Sequence, residues 1–205
     1  TAINGGNRFN IELSGMAGHA GTVPMGLRRD ALAAAAECVL AVESIAATMP
    51  DIVGTVGRID AQPGAMNVIP GKVVFSLDVR APTDAQRHAA VAAIRAGFED
   101  IAQRRNIGIA ITPLWDAKTA PCAPAMQQQF AAAIAGEGLP VRHLPSGAGH
   151  DGMALIDIAP IGMLFVRCKG GISHNPAESI TVEDADLGVR ALLEAVRRLD
   201  RQLGM

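Results

Sequence analysis

Gly15-Met16-Ala17-Gly18-His19-Ala20-Gly21-Thr22-Val23-Pro24-Met25 joins an alternating apolar segment to a long alanine-rich one and sets a histidine at the junction. Its three glycines free the backbone for a bend. Thr22 can cap a following helix, and Pro24 suits a first helical turn. His19 is therefore expected on a bent loop beside the positive end of a helix dipole. On the stretch alone, a loop histidine of this kind reads more readily as structural or solvent-facing than as catalytic, and the rest of the chain has to shift that reading.

On its upstream side, Phe9, Ile11 and Leu13 alternate with Asn10, Glu12 and Ser14, the pattern of a half-buried strand. Downstream, Leu27, Ala31, Ala34, Cys38, Val42, Ile45 and Met49 share one helical face, and Pro50 closes the helix. A strand over Ile52 to Ile59 and a Pro63-Gly64 turn follow. Val73, Phe75, Leu77 and Val79 then alternate with Ser76, Asp78 and Arg80 in a third strand. Thr83-Asp84-Ala85-Gln86 reads as a capping box opening a helix with the stripe Val91, Ile94, Phe98 and Ile101. Ile107, Ile109 and Ile111 form a fourth strand. The βαββαβ order predicts an α+β, ferredoxin-like sandwich over residues 1–116.

Pro121 and Pro124 interrupt the pattern, and residues 117–205 read as a second piece. It holds a helix near Ala125 to Ala135, an extended stretch over Val141 to Leu144 and an apolar strand over Ile161 to Val166. A last helix after Thr181 carries the stripe Ala185, Val189, Leu192, Val196 and Leu199. So little sheet is expected to complete one whose other strands lie upstream of residue 1. The absence of an initiating Met agrees with the later part of a longer polypeptide.

With 49% hydrophobic and 19% charged residues, the 205-residue chain can bury a core. Eighteen Lys and Arg against 20 Asp and Glu leave a net charge of −2, no basic footprint for nucleic acid or anionic membrane. One Trp and no Tyr argue against base stacking. No uninterrupted apolar run approaches a membrane span. Cys38, Cys122 and Cys168 form no CxxC pair, which favours a reducing, cytoplasmic setting.

The residues able to do chemistry are few. Arg80 shares strand parity with Asp78, so it is either a solvent-exposed arginine or a guanidinium fork for a substrate carboxylate. Asn67, just before the same strand, either donates to that carboxylate or shapes the turn. His150-Asp151 is a metal-ligand or acid–base pair, or Asp151 caps the short helix behind it. His174 follows a strand and the Gly170-Gly171 loop, where one imidazole could ligate a divalent ion. Spacing alone finds no complete metal site.

At these residues the chain resembles the N-carbamoyl-L-amino-acid hydrolase and allantoate amidohydrolase family, within the dinuclear-metal aminoacylase and carboxypeptidase superfamily. The resemblance lies in Gly18 to Met25 with Arg28-Arg29-Asp30-Ala31, in Ala65 to Gly71, in Asp78-Val79-Arg80, in Ser146 to Asp151 and in Ile172 to Glu178. It implies a ferredoxin-like lid and dimerisation domain, followed by the C-terminal portion of an α/β metallohydrolase domain. His174 would be one metal ligand, and His19 would reach across the lid dimer to stabilise an oxyanion. Asn67, Arg80 and backbone N–H groups near Gly171 would hold the substrate carboxylate, and His150 would flank the site. Two divalent ions (Zn, Mn, Co or Ni) would activate water for hydrolysis of a ureido C–N bond. The remaining metal ligands and a glutamate base have no matching segment here, so the chain alone is expected to be inactive and to bind metal weakly. Two alternatives stand beside this one: a metallopeptidase or aminoacylase of the same superfamily, and a non-catalytic ferredoxin-like module that dimerises or binds a small carboxylate.

Overall fold

The computed structural model describes residues 1–204. In chain order the first elements are β1 (Ala2–Ile3), β2 (Gly5–Ser14), β3 (Gly18–His19) and α1 (Ala31–Thr48). Next come β4 (Val53–Thr55), β5 (Ile59–Gln62), β6 (Val68–Ile69), β7 (Lys72–Ala81), α2 (Asp84–Arg104) and β8 (Gly108–Ala117). β9 (Ala120–Pro121), α3 (Pro124–Gly136), α4 (Gly152–Leu155) and α5 (Val182–Leu203) complete the series. Contacts divide the described residues into a sheet unit, residues 4–119 with 147–149, and a helical unit, residues 1–3, 120–146 and 150–204. Thr1 to Ile3 thus belong with the helical unit, because β1 pairs with β9.

In the sheet unit the antiparallel order is β4-β7-β2-β8, with β5 also paired to β7. β2 and β7 match residue for residue from Gly5↔Ala81 to Ser14↔Lys72. Parity then turns Phe9, Ile11, Leu13, Val73, Phe75, Leu77 and Val79 onto one face, where α1 and α2 bury them. Phe75 and Phe98 meet edge to face at 5.7 Å. The other face carries Arg8, Asn10, Ser76, Asp78 and Arg80.

Three sequence expectations change here. The segment expected as one strand from Ile52 to Ile59 is two short ones, both hydrogen-bonded to β7. Helix α1 begins at Ala31, because Asp30 accepts from the Leu32 and Ala33 N–H groups at 2.9 and 3.0 Å and outcompetes Thr22 as cap. Leu27 consequently lies in a 3-10 turn, Met25–Leu27, and is exposed. Residues 31–48 are also long and apolar enough by composition to cross a bilayer, with a mean hydropathy of 1.6. Ala31, Ala34, Ala35, Cys38, Val42 and Ala46 are nevertheless buried along one side of α1, in the core shared with the sheet. For α2, the Thr83 hydroxyl oxygen caps the Gln86 N–H as expected. The reciprocal half of the box is replaced by a bond between the two side chains, at 2.6 Å.

In the helical unit α3 packs on α5. The expected α5 stripe is reversed: Val189 and Val196 are exposed, while Ala191 and Ala195 are buried. Small residues allow the closer approach, and a Cβ on Gly188 would stand 2.9 Å from a Val166 methyl. Residues 141–144 and 161–166, expected to be extended or strand, have no ladder partner among the described residues.

Candidate functional site

Two short strands, β3 and β6, carry the first part of the site. Gly18 pairs with Ile69 and His19 with Val68, and the Ala20 N–H donates to the Asn67 carbonyl at 2.9 Å. His19 and Asn67, 48 positions apart in sequence, are thus neighbours at one end of the sheet, both exposed. Further backbone bonds lace the two loops together, from Gly15 N–H to the Gly71 carbonyl at 2.7 Å and from Ala31 N–H to the Pro70 carbonyl at 3.0 Å. Arg28 staples the His19 loop, donating to the carbonyls of Ala20 at 2.7 Å and Val23 at 3.1 Å. The opening glycines do not serve left-handed backbone, since neither Gly15, Gly18 nor Gly21 has a positive φ. They serve close approach: a Cβ on Gly15 would stand 2.0 Å from the Arg29 carbonyl oxygen.

The His19 ring is oriented by its own loop. Its Nδ1 accepts from the Gly21 N–H at 3.0 Å, so in the neutral ring the proton sits on Nε2. An exposed imidazole with Nε2–H outward is a hydrogen-bond donor for an incoming oxygen. With α1 starting at Ala31, His19 is not in the helix-cap turn that the sequence suggested.

Arg80 lies elsewhere. Asn67 and His19 sit by the Lys72 end of β7, and Arg80 is eight residues further on, roughly 26 Å away at about 3.3 Å per residue. Its neighbours are Asp78, which takes Nε and Nη2 at 2.8 and 3.0 Å, and the Gly147 carbonyl, which accepts from Nη1 at 2.7 Å. Arg8 adds a second guanidinium on Asp78 at 2.8 Å and lies over the Trp115 ring at 4.9 Å. Burial works to raise the Asp78 pKa, but the hydrogen bonds and charges of Arg80 and Arg8 prevail and hold its carboxyl below the ordinary value. The Asp78 hydrogen bond raises Arg80 in turn. Arg8 and Trp115 were not singled out from sequence, and Asp78 was named only as the neighbour of Arg80 in strand parity and motif, although Arg8 and Asp78 share the polar parity of their strands and pair directly.

The other candidates are in the helical unit. His150 is exposed, and its Nε2 lies 2.7 Å from the Ser146 hydroxyl, itself buried. Asp151 makes no side-chain cap bond to α4, which removes the capping explanation. Gly170 and Gly171 have φ of 66° and 68°, backbone that glycine adopts without strain. The Gly171 N–H, expected to be open to a carboxylate, donates to the Cys168 carbonyl at 3.3 Å. His174 is exposed with φ 55°, and its backbone N–H donates to the Glu178 carboxylate at 3.0 Å. Among the described residues no three His, Cys, Asp or Glu converge on a possible metal position. His174 is one donor, and a metal centre needs three or four.

Comparison with known proteins decides the family. The family model described as peptidase family M20/M25/M40 matches residues 12–198. The chain belongs to this M20 family. The family is one of metal-dependent hydrolases. An N-carbamoyl-L-amino acid amidohydrolase of Geobacillus stearothermophilus is 40% identical over 97% of the chain and 49% of its own length. The allantoate deiminase of Arabidopsis thaliana is 36% identical over 94% of the chain and 42% of its own length. A hydantoinase/carbamoylase family amidase from Burkholderia multivorans superposes with a TM-score of 0.91 at 38% identity, over 95% of the chain and 48% of that protein. This M20 chain spans about half the length of the curated relatives it matches.

Proposed function

We propose that, in a polypeptide of its relatives' length, this chain supplies a ferredoxin-like lid and one flank of the active site of a ureido-amidohydrolase. The substrates would be N-carbamoyl amino acids or allantoate. The sheet order β4-β7-β2-β8 with both helices on one face supports the lid assignment. The observation that carries the functional reading is the pairing of β3 with β6, which sets a donor histidine beside Asn67, near the Lys72 end of β7 and far from Arg80 near its other end. A small substrate is too short to bridge roughly 26 Å within one lid. A homodimer through the lid answers this, with His19 and Asn67 of one copy facing the site that holds Arg80 of the other.

In that site Arg80 binds the substrate carboxylate. Its terminal N–H groups fix the molecule by its acid end and bring the ureido carbonyl to one position. Water adds to that carbonyl and the C–N bond to the amino acid nitrogen breaks. The nitrogen takes a proton to leave as the free amine, and the carbamate left behind decomposes to carbon dioxide and ammonia. His19 donates from Nε2 to the oxygen that becomes negative on the way, and the Asn67 amide is a second donor on the same loop pair. The resemblance would also give substrate-binding roles in the helical unit to His150, whose Nε2 meets the Ser146 hydroxyl, and to the Gly171 turn. His174 would supply one ligand to a centre of two divalent ions (Zn, Mn, Co or Ni). Among the described residues no group of three His, Cys, Asp or Glu completes such a centre. A reducing, cytoplasmic setting suits the three unpaired cysteines.

The test is ammonia release from N-carbamoyl amino acids and allantoate by the polypeptide completed to its relatives' length, with Mn, Co, Ni or Zn added. Metal-dependent release is expected. Activity on peptide or acyl amides instead would favour the peptidase or aminoacylase alternative. Binding without turnover of any amide would favour the non-catalytic module.

A further inference from the structure

We infer that Asp78 is a positioning residue for Arg80, fixing which edge of its guanidinium a substrate carboxylate meets; the inference rests on the carboxylate-binding role of Arg80 proposed above. Arg80 stands in an open cavity of about 520 Å³ lined by Arg8, Thr55, Ser76, Asp78 and Gly147 among others. A guanidinium carries five N–H donors. Asp78 takes one on Nε and one on Nη2, and the Gly147 carbonyl takes one on Nη1. One N–H on each terminal nitrogen is left to a ligand. The Nε edge, by which arginine also grips carboxylates, is closed.

The clamp follows from the strand. Asp78 and Arg80 are two residues apart on β7 and so project from the same face, while Arg8 is the direct cross-strand partner of Asp78. Arg8 holds Asp78 Oδ2 from the other side and is itself seated on Trp115. Asp78 is thus gripped between two guanidinium groups, and Arg80 gives up rotamer freedom to it before any ligand arrives. The trio Arg8–Asp78–Arg80 retains one net positive charge for the substrate.

Orientation and charge make opposite predictions for Asp78→Asn. The substitution deletes a negative charge next to the carboxylate site, so by Coulomb attraction alone binding must tighten. If Asp78 positions Arg80, binding weakens despite the gained charge. The experiment uses the 205-residue chain labelled with ¹⁵N and titrated with N-carbamoylglycine. The Arg80 Nε–Hε resonance and the Gly147 backbone amide serve as reporters. The wild-type chain is expected to show saturable shifts. Asp78→Asn should bind about tenfold more weakly, the order of one charge-assisted hydrogen bond, and lose the exchange protection of Nε–Hε. Asp78→Glu, which keeps the charge and displaces the carboxylate by one methylene, should fall between and serves if Asp78→Asn does not fold. Equal or tighter binding by Asp78→Asn, or by Asp78→Glu in its place, with Arg80→Ala binding lost, overturns the positioning role and leaves Arg80 as the carboxylate holder. Unchanged binding by Arg80→Ala removes Arg80 from the site and the inference with it.

Discussion

Arg87→Met probes the polar tie at the edge of the sheet unit. The Arg87 side chain is 1% exposed and bonds outward through its terminal nitrogens only, to Asn7 Oδ1, to Asp116 Oδ1 at 2.8 Å and to Asp84 Oδ1 at 3.0 Å. These bonds join α2 to β2 and β8, and Asp84 also accepts the Thr119 N–H at 2.9 Å. Methionine preserves most of the aliphatic volume, so the loss is electrostatic rather than a cavity. The Asp84 and Asp116 side chains are 38% and 63% exposed, so water recovers much of their pairing. Each is discounted to roughly 0.5 kcal/mol. Asn7 is buried, and leaving its amide oxygen unpaired costs about 1–3 kcal/mol. The total is about 2–4 kcal/mol, or roughly a 10–15 °C fall in the melting temperature of a unit this size. Far-UV circular dichroism melts of the two chains read it directly. A shift below about 2 °C would refute the reasoning and mean that the buried guanidinium is offset by its own desolvation.

Two other perturbations reach the site and the fold. Arg28→Ala removes both bonds that staple the His19 loop and should lower kcat of the completed enzyme about tenfold or more with little change in KM or melting temperature. A KM effect alone would show that the loop is held otherwise. In acid, Asp78, Asp84 and Glu37 all have folded pKa values below the ordinary carboxylate range. The Arg105 hydrogen bond leads for Glu37, and for the two aspartates bonding prevails over burial. Their contribution is present above the unfolded carboxylate values and is lost as pH falls, so urea midpoints should decline from about pH 5 downward. At the other end, burial pushes the Cys38 thiol up to about 12, so stability should also decline above the ordinary thiol value of 9.0. A midpoint flat across both windows would contradict these assignments.

Much of the sheet unit was legible because its strands alternate strictly. Phe9, Ile11 and Leu13 against Val73, Phe75 and Leu77 leave one possible core face. The start of α1 was misread because Thr22 and Asp30 are both capping residues, and only the docking of the Ala31 N–H on Pro70 distinguishes them. The stripe on α5 failed for a related reason. Its valine and leucine side has the stronger apolar signal, while the alanine side permits the close packing with α3. For the site, the motifs were visible but not their grouping. Asn67 looked like a companion of Arg80 because the two flank one strand, and the β3–β6 pairing that gives it to His19 is a contact between distant segments. The clamp on Arg80 was within reach, since residues two apart on a strand share a face.

The shared site is tested most directly by mixing two inactive variants of the completed, metal-loaded enzyme, His19→Ala and Arg80→Ala, and measuring ammonia release after subunit exchange. Each variant alone lacks one half of every site. In a two-fold dimer with sites built from both copies, the mixed species has one intact site, and exchange should restore about a quarter of wild-type activity. If activity stays at the level of the separate variants after exchange is verified, His19 and Arg80 do not act across a dimer, and the proposed site is wrong.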